Sequence, residues 1–155
     1  MRTCSDVHNY LEELGVPHEM LPLPDRSTTA ERAAEALGVT LAEVVKSLLF
    51  LVDGTPTLVL VPGDARVDTA ALADGLGARQ IALARGQDVL ASTGYPPGAV
   101  PPCGLASDLS VVADPGAFAP PVVYCGGGAT ATMLKIRSVD LKTLLKPRML
   151  RVAEH

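Results

Sequence analysis

The sequence has few aromatic side chains and no long apolar run. Aromatic residues make up 3% of the 155 residues and tryptophan is absent, so the core must consist of leucine, valine, alanine and isoleucine. No apolar run approaches the roughly 18 residues that a membrane-spanning helix needs. The N-terminal stretch MRTCSDVHNYLEELG is charged from its start, unlike a signal peptide. We therefore expect a cytoplasmic protein without a membrane partner.

Cysteine and positive charge are also scarce. Cys4, Cys103 and Cys125 are an odd number of cysteines without C-x-x-C spacing. This favours free thiols in a reducing compartment over a disulfide framework or a zinc site. The formal net charge of −4 argues against a general nucleic-acid binder, and we expect no DNA partner.

Apolar residues, glycine and proline are abundant. Hydrophobic residues make up 48% of the chain, which also contains 14 glycines and 13 prolines. This composition favours a folded chain with many structured turns over disorder or a helix bundle. The length is typical of one domain, and we predict a single domain over residues 1–155.

Apolar periodicity and capping residues predict three helices in the first part of the chain. The first is capped by Ser5 and ends at Gly15. Its apolar stripe is Val7, Tyr10, Leu11 and Leu14. Thr28, three residues before a glutamate, predicts the start of a second helix within STTAERAAEALG. Thr40 repeats that capping-box spacing before a short third helix over 41–45.

The remaining pattern is rich in strands. Two β-rich runs, 46–52 and 57–61, are joined by DGTP and predict a hairpin of buried strands. Further strands are predicted at RQIALA, SVVAD, PVVYC and TMLKIRS, and further helices at DTAALADGLG, GQDVLAS and VDLKTLLK. The predicted fold class is α+β, with a mixed, partly barrel-like β-sheet and peripheral helices.

Three features suggest a binding site. Lys46 lies in the apolar run EVVKSLLFLV, where its ammonium either extends into water from a strand end or contacts a ligand from a pocket wall. The stretch STGYPPGAVPPCG fixes a backbone path through its glycines and prolines. The glycines of YCGGGATAT allow close approach of a ligand to the backbone. Each stretch is equally consistent with a rigid turn.

In combination, these stretches resemble a known family. KSLLF after a capped turn, then STGYPPGAVPP, then YCGGG near the end resemble the YbaK family. Its members are free-standing relatives of the editing domain inserted in bacterial prolyl-tRNA synthetases. The resemblance extends over essentially the whole chain, in order and with matching spacing.

The resemblance implies a trans-editing hydrolase that deacylates misacylated tRNA, commonly tRNA for proline carrying a small wrong amino acid. It implies a mixed α+β fold, no cofactor, and prolyl-tRNA synthetase as a partner. Lys46 matches the family's essential lysine, Ser47 a substrate-binding neighbour, and Gly98 the glycine near the scissile ester. Further implied substrate contacts are Ala99, whose N–H would join that of Gly98 at the oxyanion, Pro102, Gly126 and Gly127.

The amino-acid pocket departs from the family pattern. Some relatives that edit cysteine carry an aspartate where this chain has Thr132 and Met133, and Met20 and Thr29 stand where those relatives can be aromatic. We expect Met20, Thr29, Val100 and Met133 to set the size of the accepted amino acid. The cysteine specificity of such relatives is not expected here.

Basic residues concentrate near the C-terminus. Lys142, Lys146, Arg148 and Arg151 predict contacts with the tRNA backbone. The alternative is a solvated terminal helix and tail.

Other candidates and function classes remain. A thiol nucleophile at Cys103 or Cys125 is conceivable, but no histidine is near either in sequence. His8 and His18 lack a carboxylate or cysteine pattern, so no metal site is expected. A non-catalytic module that binds an amino acid, a nucleotide or the tRNA end, and a hydrolase of small activated esters, are the alternative functions.

Overall fold

The structure is a computed structural model that describes residues 1–24 and 29–155. The described residues form five α-helices and ten β-strands. The helices are α1 Cys4–Glu13, α2 Ala30–Leu37, α3 Thr69–Leu76, α4 Gly86–Thr93 and α5 Ser138–Leu145. The strands are β1 His18–Pro22, β2 Val44–Val52, β3 Thr55–Pro62, β4 Arg66–Val67, β5 Ile81–Leu83, β6 Ser110–Ala113, β7 Val122–Ala129, β8 Thr132–Arg137, β9 Arg148–Met149 and β10 Ala153–Glu154. None of these helices is long and apolar enough to cross a membrane.

The predicted first helix is present, but its cap differs. The N-cap of α1 is Thr3 rather than Ser5. The N–H of Thr3 donates to Oδ2 of Asp6 at 2.7 Å. A carboxylate in the first turn stabilises the helix N-terminus, and this contact starts α1 two residues earlier than predicted.

The next two predicted helices are also present, with shifted boundaries. The N-cap of α2 is Thr29, whose hydroxyl accepts from the N–H of Arg32 at 3.2 Å. The predicted cap, Thr28, lies outside the described residues. The third helix is a single 3₁₀ turn, Leu41–Glu43, and β2 begins directly after it at Val44.

The β2–β3 hairpin is the centre of the sheet. Its register runs from Val45 opposite Pro62 to Val52 opposite Thr55. The connecting Asp53 and Gly54 have φ values of 48° and 82°; positive φ at both central residues is typical of a type I′ turn, which matches the twist of the strands. The hairpin predicted from DGTP is confirmed.

One mixed sheet organises the molecule. Eight strands form it, in the order β1-β8-β7-β2-β3-β6-β9, with β5 added to β2. β2 pairs antiparallel with β3 and parallel with β7. A second, two-stranded sheet joins β10 to β4. This arrangement confirms the predicted mixed α+β fold.

The sheet separates two apolar regions. On one face, Val45 and Leu49 of β2 belong to the largest buried cluster, to which α1 contributes. On the other face, Phe50 belongs to a cluster with α3. Also on that face, Val44 packs with α2 and with Met133 of β8. Consecutive residues of β2 therefore face different layers.

The glycine-rich stretch predicted as a loop is instead part of β7. The pairing of β7 with β8 shifts register between Gly126 and Ala129, as at a β-bulge. A Cβ on Gly127 would lie 2.6 Å from the carbonyl oxygen of Thr132. Glycine is therefore needed there to let the two strands approach, and the stretch continues the sheet instead of leaving it.

Candidate functional site

The site lies at a gap in the sheet beside β2. β3 pairs along the whole of one edge of β2. On the other edge, β7 pairs only at Val44 and Val45, and β5 pairs at 50–52. Between these pairings, among the described residues, no strand pairs with β2 on this edge. The carbonyl oxygen of Leu49 accepts from the N–H of Ala84 at 3.0 Å, and residues 46–48 are left without a described strand beside them on this edge.

A cavity of about 170 Å³ opens at this gap. Seven of its lining residues were predicted from the sequence: Thr29, Lys46, Ser47, Gly98, Val100, Gly126 and Met133. Five were not predicted: Ala30, Ala33, Val44, Val45 and Leu48. The small alanines of α2 and the apolar residues flanking Lys46 were the available signal, but they were interpreted only as core.

Lys46 enters this cavity from the first part of β2. Its side chain is half-buried and lies on the face that also carries Val44 and Phe50. Among the described residues, none forms a hydrogen bond or ion pair with its ammonium. A cation on a mostly apolar wall, for which the described part of the chain provides no partner, is available to an anionic or carbonyl group of a ligand.

Ser47 provides a second unpaired polar group. Its Oγ is buried and has no hydrogen-bond partner among the described residues. A buried hydroxyl without a partner costs about 1–3 kcal/mol. Ser47 lines the cavity, but successive side chains of β2 face opposite sides of the sheet, so this buried Oγ lies on the face away from Lys46.

The opposite wall is backbone. Gly98 has φ 85°, a conformation that favours glycine. Gly126 faces the same loop, and a Cβ on it would overlap the carbonyl oxygen of Val100. Glycine at 126 therefore lets the loop pack directly against β7 and shape this side of the cavity.

The N–H of Ala99, expected as an oxyanion donor, already takes part in a hydrogen bond within the protein. Its N–H donates to the carbonyl oxygen of Pro96 at 3.1 Å, and its carbonyl oxygen accepts from Gly128 at 2.9 Å. Ala99 is fully buried and does not line the cavity. Of the two predicted main-chain donors, only Gly98 borders the cavity.

Three other predicted contacts also lie outside the cavity lining. Met20 pairs with Leu134 and packs against the largest core cluster, because it falls on the opposite face of the sheet from Met133. Gly127 is used by the β7–β8 bulge, and Pro102 is buried without lining the cavity. Each belongs to the framework around the cavity, and contact of these three residues with substrate stays a prediction.

The basic C-terminal residues are not brought to the cavity. Arg148 lies on β9, which is separated from β2 by β3 and β6, and its guanidinium donates to the carbonyl oxygen of Gly75 at 2.9 Å. Lys142, Lys146 and Arg151 are exposed. Contact of these four residues with tRNA stays a prediction.

The buried cysteines are poor nucleophiles. Cys103 and Cys125 are buried, and neither lines the cavity. Burial raises the pKa of the Cys103 thiol to about 12. Burial, with a smaller contribution from Cys103, also raises the pKa of Cys125. Because the thiolate is the reactive form, both thiols are inert near neutral pH.

We expect only one of the three cysteine thiols, that of Cys4, to react in the folded protein. At pH 8, Ellman's reagent should titrate only the half-buried Cys4, and all three thiols should react in guanidinium chloride. Alkylation of native protein should leave deacylation unchanged. Rapid reaction of two or three thiols before unfolding, or loss of activity on alkylation, would contradict this assignment.

Comparison with known proteins gives the family. A model of the aminoacyl-tRNA editing domain matches residues 25–144. The proline–tRNA ligase of Citrifermentans bemidjiense is 34% identical over 105 residues, covering 64% of this chain and 18% of the ligase. That of Nitratidesulfovibrio vulgaris strain DP4 is 40% identical over 94 residues, covering 61% of this chain and 16% of the ligase. This chain thus spans less than one fifth of the length of these ligases.

Solved structures agree with the fold. One described as "hypothetical protein APE2540" has a TM-score of 0.89 at 30% identity, covering 96% of this chain and 99% of that chain. One described as "a putative trans-editing enzyme for prolyl tRNA synthetase" has a TM-score of 0.92 at 27% identity, covering 100% and 99%. These matches confirm the fold and family predicted from the sequence. The chain belongs to the aminoacyl-tRNA editing domain family, of the YbaK type.

Proposed function

We propose that the cavity beside β2 receives the aminoacyl end of misacylated tRNA for proline, and that the protein clears it in trans in the cytoplasm. The observation that carries the proposal is the ammonium of Lys46, for which the described residues provide no partner, in a cavity that the main chain at Gly98 also lines. The similarity to prolyl-tRNA synthetases and to the trans-editing protein supports tRNA for proline as substrate and the synthetase as partner.

The chemistry needs little from side chains. An aminoacyl ester is already activated, so positioning and stabilisation of the oxyanion are sufficient contributions from the protein. Water, assisted by a neighbouring substrate hydroxyl, adds to the ester carbonyl and loses a proton. The N–H of Gly98 stabilises the developing negative oxygen, and the tetrahedral intermediate then expels the ribose oxygen. The expelled oxygen takes up a proton, giving free amino acid and tRNA.

Lys46 positions the substrate in this scheme. The ammonium of Lys46 holds an anionic or carbonyl oxygen at the tRNA end, because a charge-assisted contact is strong where water is excluded. Ser47 borders the cavity next to Lys46. Both residues lie on the rigid central hairpin, which fixes their geometry.

The size of the cavity favours a small amino acid. Its volume of about 170 Å³ is below the roughly 300–1,000 Å³ of pockets for drug-sized ligands. Met133, Val100 and Ala33 form apolar walls around it. Apolar walls discriminate one methylene by about 1–3 kcal/mol, so close neighbours in size should share the site.

We expect a graded preference across mischarged tRNAs. Under single-turnover conditions, tRNA for proline carrying Ala, Ser, Cys or Thr should be cleared with rates within about 200-fold of one another. The same tRNA carrying Phe or Leu should be cleared more slowly than any of these. Faster clearance of Phe or Leu would contradict the assignment of this cavity as the amino-acid site.

A further inference from the structure

We propose that His8, Glu12 and His18 form a binding site for a divalent transition-metal cation, Zn²⁺, Ni²⁺ or Cu²⁺. One ligand atom from each side chain lies within 4.8 Å of the other two. None of the three residues lines the cavity beside β2. The site is therefore separate from the deacylation chemistry, and its test does not depend on that activity.

The fold assembles this site from two adjoining elements. His8 and Glu12 are four residues apart on α1 and so share one helix face. After Gly15, which has φ 69°, the chain turns back and β1 begins at His18. That return places His18 against the exposed side of α1. No metal site was expected at these histidines, because the sequence was interpreted as lacking a carboxylate or cysteine pattern around them.

Hydrogen bonding fixes the tautomer of His18. Its Nδ1 lies 2.8 Å from the carbonyl oxygen of Val16. A carbonyl oxygen can only accept, so Nδ1 carries the proton and Nε2 of the neutral ring carries a lone pair. A metal-binding histidine is usually oriented by a hydrogen bond from its other ring nitrogen, the one that does not bind the metal, to a group such as a main-chain carbonyl. Val16 thus prepares Nε2 of His18 as a ligand atom.

That lone pair is directed at the second imidazole. Nε2 of His18 lies 2.9 Å from Nδ1 of His8, with the ring planes tilted by 55°. In the metal-free protein, Nδ1 of His8 carries a proton and donates it to Nε2 of His18 in a hydrogen bond. When His8 carries its proton on Nε2 instead, both facing nitrogens have lone pairs, and a cation can replace the shared proton.

The distances require only a small adjustment. Zn–N bonds of about 2.0–2.1 Å in tetrahedral geometry separate two ligand nitrogens by about 3.3 Å. The rings must therefore move apart by a few tenths of an ångström from 2.9 Å. Both side chains reach solvent, since His8 is exposed and His18 half-buried. This exposure gives the cation a path of entry and leaves room for the rings to adjust.

The ligand set selects the class of cation. Two imidazoles and one carboxylate suit zinc, nickel and copper, whereas Mg²⁺ and Ca²⁺ prefer oxygen ligands. Glu12 is exposed and supplies the third ligand, and water completes the coordination. A bound cation would link α1 to the edge strand β1 through its ligands and so stabilise the folded state.

Calorimetric titration of tag-free, chelator-treated protein tests the site. We expect one equivalent of Zn²⁺ or Ni²⁺ to bind, with no saturable binding of Mg²⁺, and the melting temperature to rise with Zn²⁺ concentration. His8→Gln and His18→Gln should each weaken binding by at least about 10- to 100-fold, and Glu12→Gln by less. All three variants replace solvent-accessible groups, so they should fold.

Two matched controls separate this site from others. His155→Gln removes the third and last histidine, which lies 3.5 Å from Asp64, and Cys4→Ser removes the most accessible thiol. Neither substitution should change the stoichiometry or affinity. The proposal is overturned if wild-type protein shows no saturable Zn²⁺ binding below about 1 mM, or if binding survives His18→Gln but is lost in either control.

Discussion

Replacement of Lys46 by alanine is expected to slow single-turnover deacylation by about 10- to 150-fold. This range of rates corresponds to the loss of one charge-assisted contact, which is worth about 1.5–3 kcal/mol. The rate falls further if the contact tightens in the transition state. The melting temperature should hardly change. Lys46 has no hydrogen-bond or ion-pair partner among the described residues, so its removal leaves none of those residues with an unsatisfied group. Lys46→Arg should restore only part of the rate, because a planar guanidinium does not reproduce a point donor.

Lys142→Ala is the matched control for this experiment. Lys142 is an exposed lysine on α5 and does not line the cavity. Its replacement should change the rate much less than that of Lys46. Full activity of Lys46→Ala would show that the lysine only extends into solvent. A large fall in both activity and melting temperature would instead indicate a structural role.

Replacement of Gly126 by alanine is expected to be equally damaging, for a different reason. The new Cβ would overlap the carbonyl oxygen of Val100, which belongs to the main chain and cannot rotate away. The loop carrying Gly98 must then move relative to Lys46. A displacement of about 1 Å at a reacting group can cost about 100-fold in rate, and overpacking typically costs 1–3 kcal/mol of stability. Single-turnover deacylation and thermal melting measure the two effects.

Gly86→Ala provides the control for an added methyl group. Gly86 is the first residue of α4, and a Cβ there would meet only the Pro97 side chain, at 3.4 Å. This variant should retain its rate and its melting temperature. If Gly126→Ala behaves like Gly86→Ala in both measurements, the loop does not form the cavity wall in the way described.

The parts of the fold that local sequence determines were predictable. The β2–β3 hairpin follows from apolar runs flanking Asp53 and Gly54, and α2 from its alanine stripe and Gly38. The two-residue strands β4, β9 and β10 were missed, because so short a segment carries no periodic signal. Their existence depends on partners distant in the chain, such as Val112 for Arg148.

The candidate site was predicted in part. Lys46, Ser47 and the two glycine-containing stretches were identified from motif and resemblance, and the cavity unites most of them. Met20 lies on the core face instead of the cavity face, because side chains alternate along a strand and one residue of register decides between the two. The N–H of Ala99 donates in a turn with Pro96, a contact that composition does not reveal.

The gap between β2 and β7 could not be predicted. It arises where parallel pairing stops after Val45 and Cys125, a long-range feature without a local pattern. The same limit applies to the His8–His18 contact, which depends on how α1 folds back against β1. In both places the chemistry comes from juxtaposition of elements, and the sequence indicates only which residue types are available.

The most direct test of the account measures the rate at which alanine is released from tRNA for proline that is mischarged with alanine. The rate is measured under single-turnover conditions and compared with that of spontaneous hydrolysis. We predict strong acceleration by the wild-type protein, and competitive inhibition by a stable amide analogue of the aminoacylated tRNA end. The analogue should protect the protein in thermal melts, and Lys46→Ala should weaken that protection. Tight binding of the analogue without any acceleration of hydrolysis would contradict the account and identify the cavity as a binding module.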